Sequence, residues 1–139
     1  AYRFAKLELL PGWSSIMGLQ FENLVYANLP QILDRLGENR RPFLSAAPYR
    51  CKRSSRNGGC QVDLLLQTEK AVYVIEIKRR KEIGEEVIDE VAKKLKALPV
   101  SGNKAKRAVL VYDGRLDPRI EASDFFDFIV DFQTLMHLT

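Results

Sequence analysis

Residues 61–78, QVDLLLQTEKAVYVIEIK, set the tightest limit on what this chain can fold into. Two runs rich in Val, Ile and Leu, 61–67 and 71–78, are separated only by Thr68, Glu69 and Lys70, which predicts a β-hairpin. RAVLVYDG at 107–114 reads as a strand buried in a parallel or mixed sheet, and DFIVDF at 127–132 as another. Ahead of the hairpin, FLSAAPYRCK at 43–52 reads as a strand with an imperfection at Pro48, suited to an edge or a bulge. SSRNGG at 54–59 is a turn that places Cys51 and Cys60 on either side of it.

Two stretches carry helical periodicity. Over 18–36, Leu19, Val25, Tyr26, Leu29, Ile32, Leu33 and Leu36 share one arc, with a kink or a second helix expected at Pro30 and a stop at Gly37. Over 85–98, Val87, Ile88, Val91, Leu95 and Leu98 make the stripe and Pro99 ends it. Lys93, Lys94 and Lys96 near that C-terminus are accounted for by the helix dipole. The order helix, three strands, helix, strand, strand defines an α/β domain with a two- or three-layer sheet. A crossover through 85–98 should join two parallel strands. Residues 1–17 are expected to be a packing arm or the remnant of a preceding domain, and 18–139 the domain itself.

A length of 139 residues suits one domain, and 46% hydrophobic with 29% charged residues excludes a disordered or low-complexity chain. No apolar run approaches the roughly 20 residues of a membrane span, so no membrane partner is expected. Two Cys and one His make neither a disulfide framework nor a His-rich metal centre, and a reduced, cytoplasmic setting is expected. The net charge of +4 is compatible with an anionic partner.

Three charged residues stand where charge is costly. Glu22 lies near the middle of the apolar arc of its helix, and Asp63 and Glu76 lie inside strands that are otherwise almost wholly apolar. If Glu69–Lys70 is a two-residue turn, 63 opposes 76, 65 opposes 74 and 61 opposes 78. Asp63, Leu65, Val74, Glu76 and Lys78 then share one face, and Val62, Leu64, Tyr73, Ile75 and Ile77 the other. Two opposed carboxylates repel, and a cation must offset them. Lys78 does so in part. A divalent ion would do it better, and carboxylate oxygens with a nearby backbone carbonyl suit Mg²⁺ or Mn²⁺ rather than zinc.

A helix carrying Glu22, then Asp63, a hairpin turn, and Glu76-Ile77-Lys78 at the end of the next strand resembles the PD-(D/E)XK nuclease superfamily over roughly residues 18–113. The resemblance implies a restriction-endonuclease-like core, α-β-β-β-α-β, with a central mixed sheet flanked by helices. It implies a Mg²⁺- or Mn²⁺-dependent nuclease hydrolysing DNA phosphodiesters. Asp63 and Glu76 would be metal ligands, with the Ile77 carbonyl completing the set and Lys78 as the catalytic lysine. Glu22 would anchor a second metal, a metal-bound water, or Lys78. Val62, rather than Pro, precedes Asp63, a departure from the namesake motif. Arg79, Arg80, Lys81, Arg53 and Arg56 are the expected nucleic-acid contacts. GLQFENLVYANL followed by VDLLLQTEKAVYVIEIK is also similar to the C-terminal nuclease-like domain of prokaryotic P-loop ATPases, although no P-loop motif occurs here. That second likeness implies an ATPase domain in the same full-length chain, and an alternative role as a non-catalytic recognition or docking domain.

Overall fold

The computed structural model describes residues 13–38, 45–51, 59–99 and 103–137. The elements are α1 (Trp13–Ala27), α2 (Leu29–Arg35), β1 (Ser45–Cys51), β2 (Cys60–Gln67), β3 (Ala71–Ile83), α3 (Glu86–Ala97), β4 (Ala105–Leu116), α4 (Pro118–Ala122), β5 (Phe128–Asp131) and α5 (Phe132–His137). The break between α1 and α2 falls at Asn28, with Pro30 in the first turn of α2, where its missing N–H costs nothing. Gly37, at φ +75°, closes the pair. α1 begins at Trp13, five residues ahead of the expected start, and residues 1–12 lie outside the described residues.

The strands form one sheet in the order β1-β2-β3-β4-β5. β1, β2 and β3 pair antiparallel, while β3–β4 and β4–β5 are parallel. The chain is therefore α/β with a five-stranded mixed sheet. Helices cover both faces, which settles the layer number at three. Phe21 and Val25 of α1, Ile32 and Leu33 of α2, and Phe132 and Leu135 of α5 pack on Leu64, Leu66, Ile75, Ile77, Val109 and Val111. Val87 and Val91 of α3 and Ile120 of α4 pack on Leu65, Val72, Val74 and Leu110 from the other side. Among the described residues, no helix is long and apolar enough to cross a membrane.

The hairpin register is the expected one from Leu64 to Gln67, and the paired ladder stops short of the expected 63–76 and 61–78 pairs. Leu64 pairs with Ile75, Leu65 with Val74, Leu66 with Tyr73 and Gln67 with Val72. Thr68 N–H donates to the Ala71 carbonyl at 2.9 Å, and the Thr68 hydroxyl accepts the Ala71 N–H at 3.0 Å, so Glu69–Lys70 is a closed two-residue turn. One face assignment needs correction. Along β1–β2, Ala47 pairs with Leu65 but Tyr49 with Val62, which leaves an extra residue in β2 around Asp63 and Leu64. This bulge rotates the strand, so Val62 packs with Leu65 beneath α3, and not with Leu64 beneath α1.

A second bulge lies in β3, where Arg79 pairs with Asp113 but Glu82 with Arg115. Gly114 opposite has φ +146°, and a Cβ there would stand 1.8 Å from the Arg80 carbonyl oxygen, so only glycine fits.

Candidate functional site

Asp63 occupies the bulge of β2 at the point where the hairpin parts. Bonded pairs alternate along an antiparallel ladder, and Thr68 bonds Ala71. Leu66–Tyr73, Leu64–Ile75 and Val62–Ile77 would follow. The Ile77 N–H instead donates to Asp63 Oδ2 at 2.9 Å. The side chain of Asp63 thus replaces a backbone partner. In an extended strand the N–H and C=O of one residue project to the same edge, so the Ile77 carbonyl also faces the gap that Asp63 fills. Tyr26 of α1 donates its hydroxyl to the Asp63 carbonyl at 2.6 Å. Asp63 is therefore held to β3 by its carboxylate and to α1 by its backbone.

Glu76, one residue earlier on β3, is 2% exposed. A carboxylate that deep needs cationic partners. Lys94 Nζ lies 2.7 Å from its Oε2, and Lys78 Nζ 3.4 Å from its Oε1. Lys78 also meets Glu90 of α3 at 3.0 Å. Glu90 and Lys94 are one turn apart on α3, so Glu76, Lys78, Glu90 and Lys94 form a network of alternating charge between the strand and the helix. Burial first, and then the Asp63 charge, push Glu76 above its ordinary range, with Lys94 and Lys78 opposing. Glu22, on α1, is half-buried and likewise raised, by burial and then by Asp63 and Glu76, with Lys94 opposing.

These residues line one open cleft of about 490 Å³, bounded by Glu22, Asp63, Glu76, Ile77 and Lys78 together with Glu90, Lys93 and Lys94 of α3. All four residues assigned to catalysis from the sequence are thus brought together. The expected nucleic-acid contacts are not part of this lining. Arg79 pairs with Asp113 at 3.8 Å and Arg80 with Glu86 at 3.7 Å, while Lys81 is exposed. Arg53 and Arg56 lie outside the described residues.

The helix dipole is an incomplete account of Lys94. Val87, Val91, Lys94 and Leu98 follow the i, i+4, i+7, i+11 spacing of a buried stripe, so Lys94 is an anomaly of the same kind as Glu22. That spacing was the available signal. Glu90, three residues after Val87, lies on the flank of that stripe. Tyr26 carried no signal beyond its place in an apolar arc.

The oxygen donors fit a hard divalent ion in their chemistry. Glu76 already turns both oxygens toward cations, and Asp63 and the Ile77 carbonyl share the adjoining gap. Among the described residues, no three His, Cys, Asp or Glu side chains are gathered into one ligand set. Glu22 lines the same cleft and feels the charges of Asp63 and Glu76. No family model matches the sequence, and no curated protein matches it either.

Proposed function

We propose that this chain is a Mg²⁺- or Mn²⁺-dependent nuclease domain of restriction-endonuclease-like type that hydrolyses DNA phosphodiester bonds. The observation that carries the reading is the meeting of Asp63, Glu76 and Lys78 in one cleft where the hairpin parts, with the Asp63 carboxylate locked on the Ile77 N–H. The antiparallel β1-β2-β3 meander, followed through α3 by parallel β4, supports a restriction-endonuclease-like core.

Asp63, Glu76 and the Ile77 carbonyl would hold the ion. When bound, it polarises a phosphate oxygen and lowers the pKa of a coordinated water. Lys78 orients the attacking water and offsets charge growing on the phosphate, and Glu90 holds the Lys78 ammonium in place. Lys93 and Lys94 put positive charge on the α3 wall, where a nucleic-acid backbone would lie.

A second reading draws on the Lys94–Glu76 pair, because a site neutralised by its own lysines can serve without a metal. It is a non-catalytic nuclease-like recognition or docking module at the C-terminus of a P-loop ATPase.

Cleavage of plasmid and single-stranded DNA with Mg²⁺ and Mn²⁺ separates the two, using wild type, Glu76→Ala and Lys78→Ala, with DNA binding measured in Ca²⁺. Under the nuclease reading wild type nicks, and Lys78→Ala loses about 10²–10³ in rate while still binding. Wild type without metal-dependent cleavage of DNA or RNA leaves the docking reading. Binding should weaken steeply with salt if phosphates are the target, and a flat response favours a protein partner.

A further inference from the structure

We propose that Lys94 is an internal counter-cation, holding the place of the divalent ion at Glu76 in the metal-free protein and giving it up when the ion binds. The inference rests on the metal-centred reading above.

The Lys94 ammonium lies 2.7 Å from Oε2 of an almost wholly buried carboxylate, the same oxygen class that a hard dication requires. An ammonium and a divalent ion on one carboxylate repel each other strongly at such range, so binding is an exchange rather than an addition. The two lysines differ in what they can fall back on. Lys78 is nearer to Glu90, at 3.0 Å, than to Glu76, at 3.4 Å, and keeps that partner whatever occupies Glu76. Among the described residues, Lys94 has Glu76 as its one ion-pair partner. Lys94 is therefore the residue that moves. Displaced from Glu76, it joins Lys93 on the cleft wall beside Glu22, where a phosphate can meet it. Metal and nucleic acid then assist each other, because the arriving ion frees a cation for the backbone.

The test is a Mn²⁺ titration by calorimetry at mildly alkaline pH, where free carboxylates are ionised. The proteins are wild type, Lys94→Met, Lys93→Met as a control of equal charge change in the same cleft, and Glu76→Gln. Lys94→Met should bind Mn²⁺ about fivefold or more tighter than wild type. Lys93→Met should change little, and Glu76→Gln should lose binding. Equal affinity in wild type and Lys94→Met, both abolished by Glu76→Gln, overturns the exchange and leaves the metal reading standing. Equal tightening by Lys93→Met also overturns it, because the effect is then one of overall charge. Absence of binding in both wild type and Lys94→Met overturns the inference and the metal reading together.

A second measurement needs no variant. Acylation of Lys94 in the wild type, followed by mass spectrometry, should speed up severalfold on adding Mn²⁺, with Lys93 unchanged. Unaltered Lys94 reactivity under saturating Mn²⁺ overturns the proposal.

Discussion

Asp63 accepts the N–H of Ile77 at 2.9 Å, a bond that an uninterrupted ladder would have directed to the Val62 carbonyl. One carboxylate therefore has two duties, closing the sheet where a bulge opens it and facing the cleft. Removal and neutralisation of that carboxylate should separate the two. Asp63→Ala leaves the Ile77 N–H without an acceptor and is expected to cost about 1–3 kcal/mol. Asp63→Asn keeps an acceptor oxygen and relieves the repulsion on Glu76, so metal-free stability should match or exceed wild type. Urea denaturation of the three proteins in chelator checks this, and equal losses in both variants would contradict it.

Glu76 predicts a pH signature. Burial and Asp63 raise it above the ordinary value of 4.5, so in a pH window just above that value the folded protein keeps a proton that the unfolded chain has released. Its contribution to stability is fully present below the unfolded value and is lost as pH rises through the raised folded one. In metal-free buffer, the stability of wild type minus that of Glu76→Gln should fall as pH climbs upward from about 4.5. Denaturation midpoints of the pair across that window test the sign.

Tyr26 is expected to act at a distance from any ligand. Tyr26→Phe keeps the ring against the core and deletes only the 2.6 Å bond to the Asp63 carbonyl. Stability should drop by about 1 kcal/mol, and Mn²⁺ affinity should drop with it as the bulge loosens. A variant with reduced stability and unchanged Mn²⁺ affinity would confine Tyr26 to the core.

Gly114 anchors the far end of β3. Gly114→Ala brings a methyl group into the Arg80 carbonyl and imposes a left-handed φ on an L-residue, and should destabilise by more than about 2 kcal/mol. Gly37→Ala makes the comparison, since a Cβ there meets nothing within 4 Å and only the backbone term remains. Thermal melts of both should rank Gly114→Ala clearly lower.

The hairpin, its two-residue turn and the parallel strand after α3 were legible because continuous apolar runs and a tight connection leave few alternatives. Glu22, Asp63 and Glu76 were legible for a related reason, since charge in an apolar pattern stands out. The bulge at Asp63 was not, because strict alternation is the only face rule that one strand's sequence supplies, and the extra residue shows only against the register of β1. Lys94 was obscured by having a sufficient local explanation, the helix dipole, which hid its place on the buried stripe. Arg79, Arg80 and Lys81 read as a basic extension of β3, and the last two residues, Glu82 and Ile83, were not legible because the exposed stretch before Ile83 carries no apolar signal.

The sheet lists its strands in the order in which the chain supplies them. It can therefore grow from one side as the polypeptide lengthens, with the β2–β3 hairpin closing by local contacts before α3 and β4 arrive. In such an order Glu76 would stay in water at the sheet's growing edge until its partners arrive. In the folded chain α3 lies over Glu76, and the same helix carries Lys94. Glu76, the most deeply buried charged residue among those described, and its counter-charge on α3 can thus enter the interior together, which spares the chain from burying either one alone.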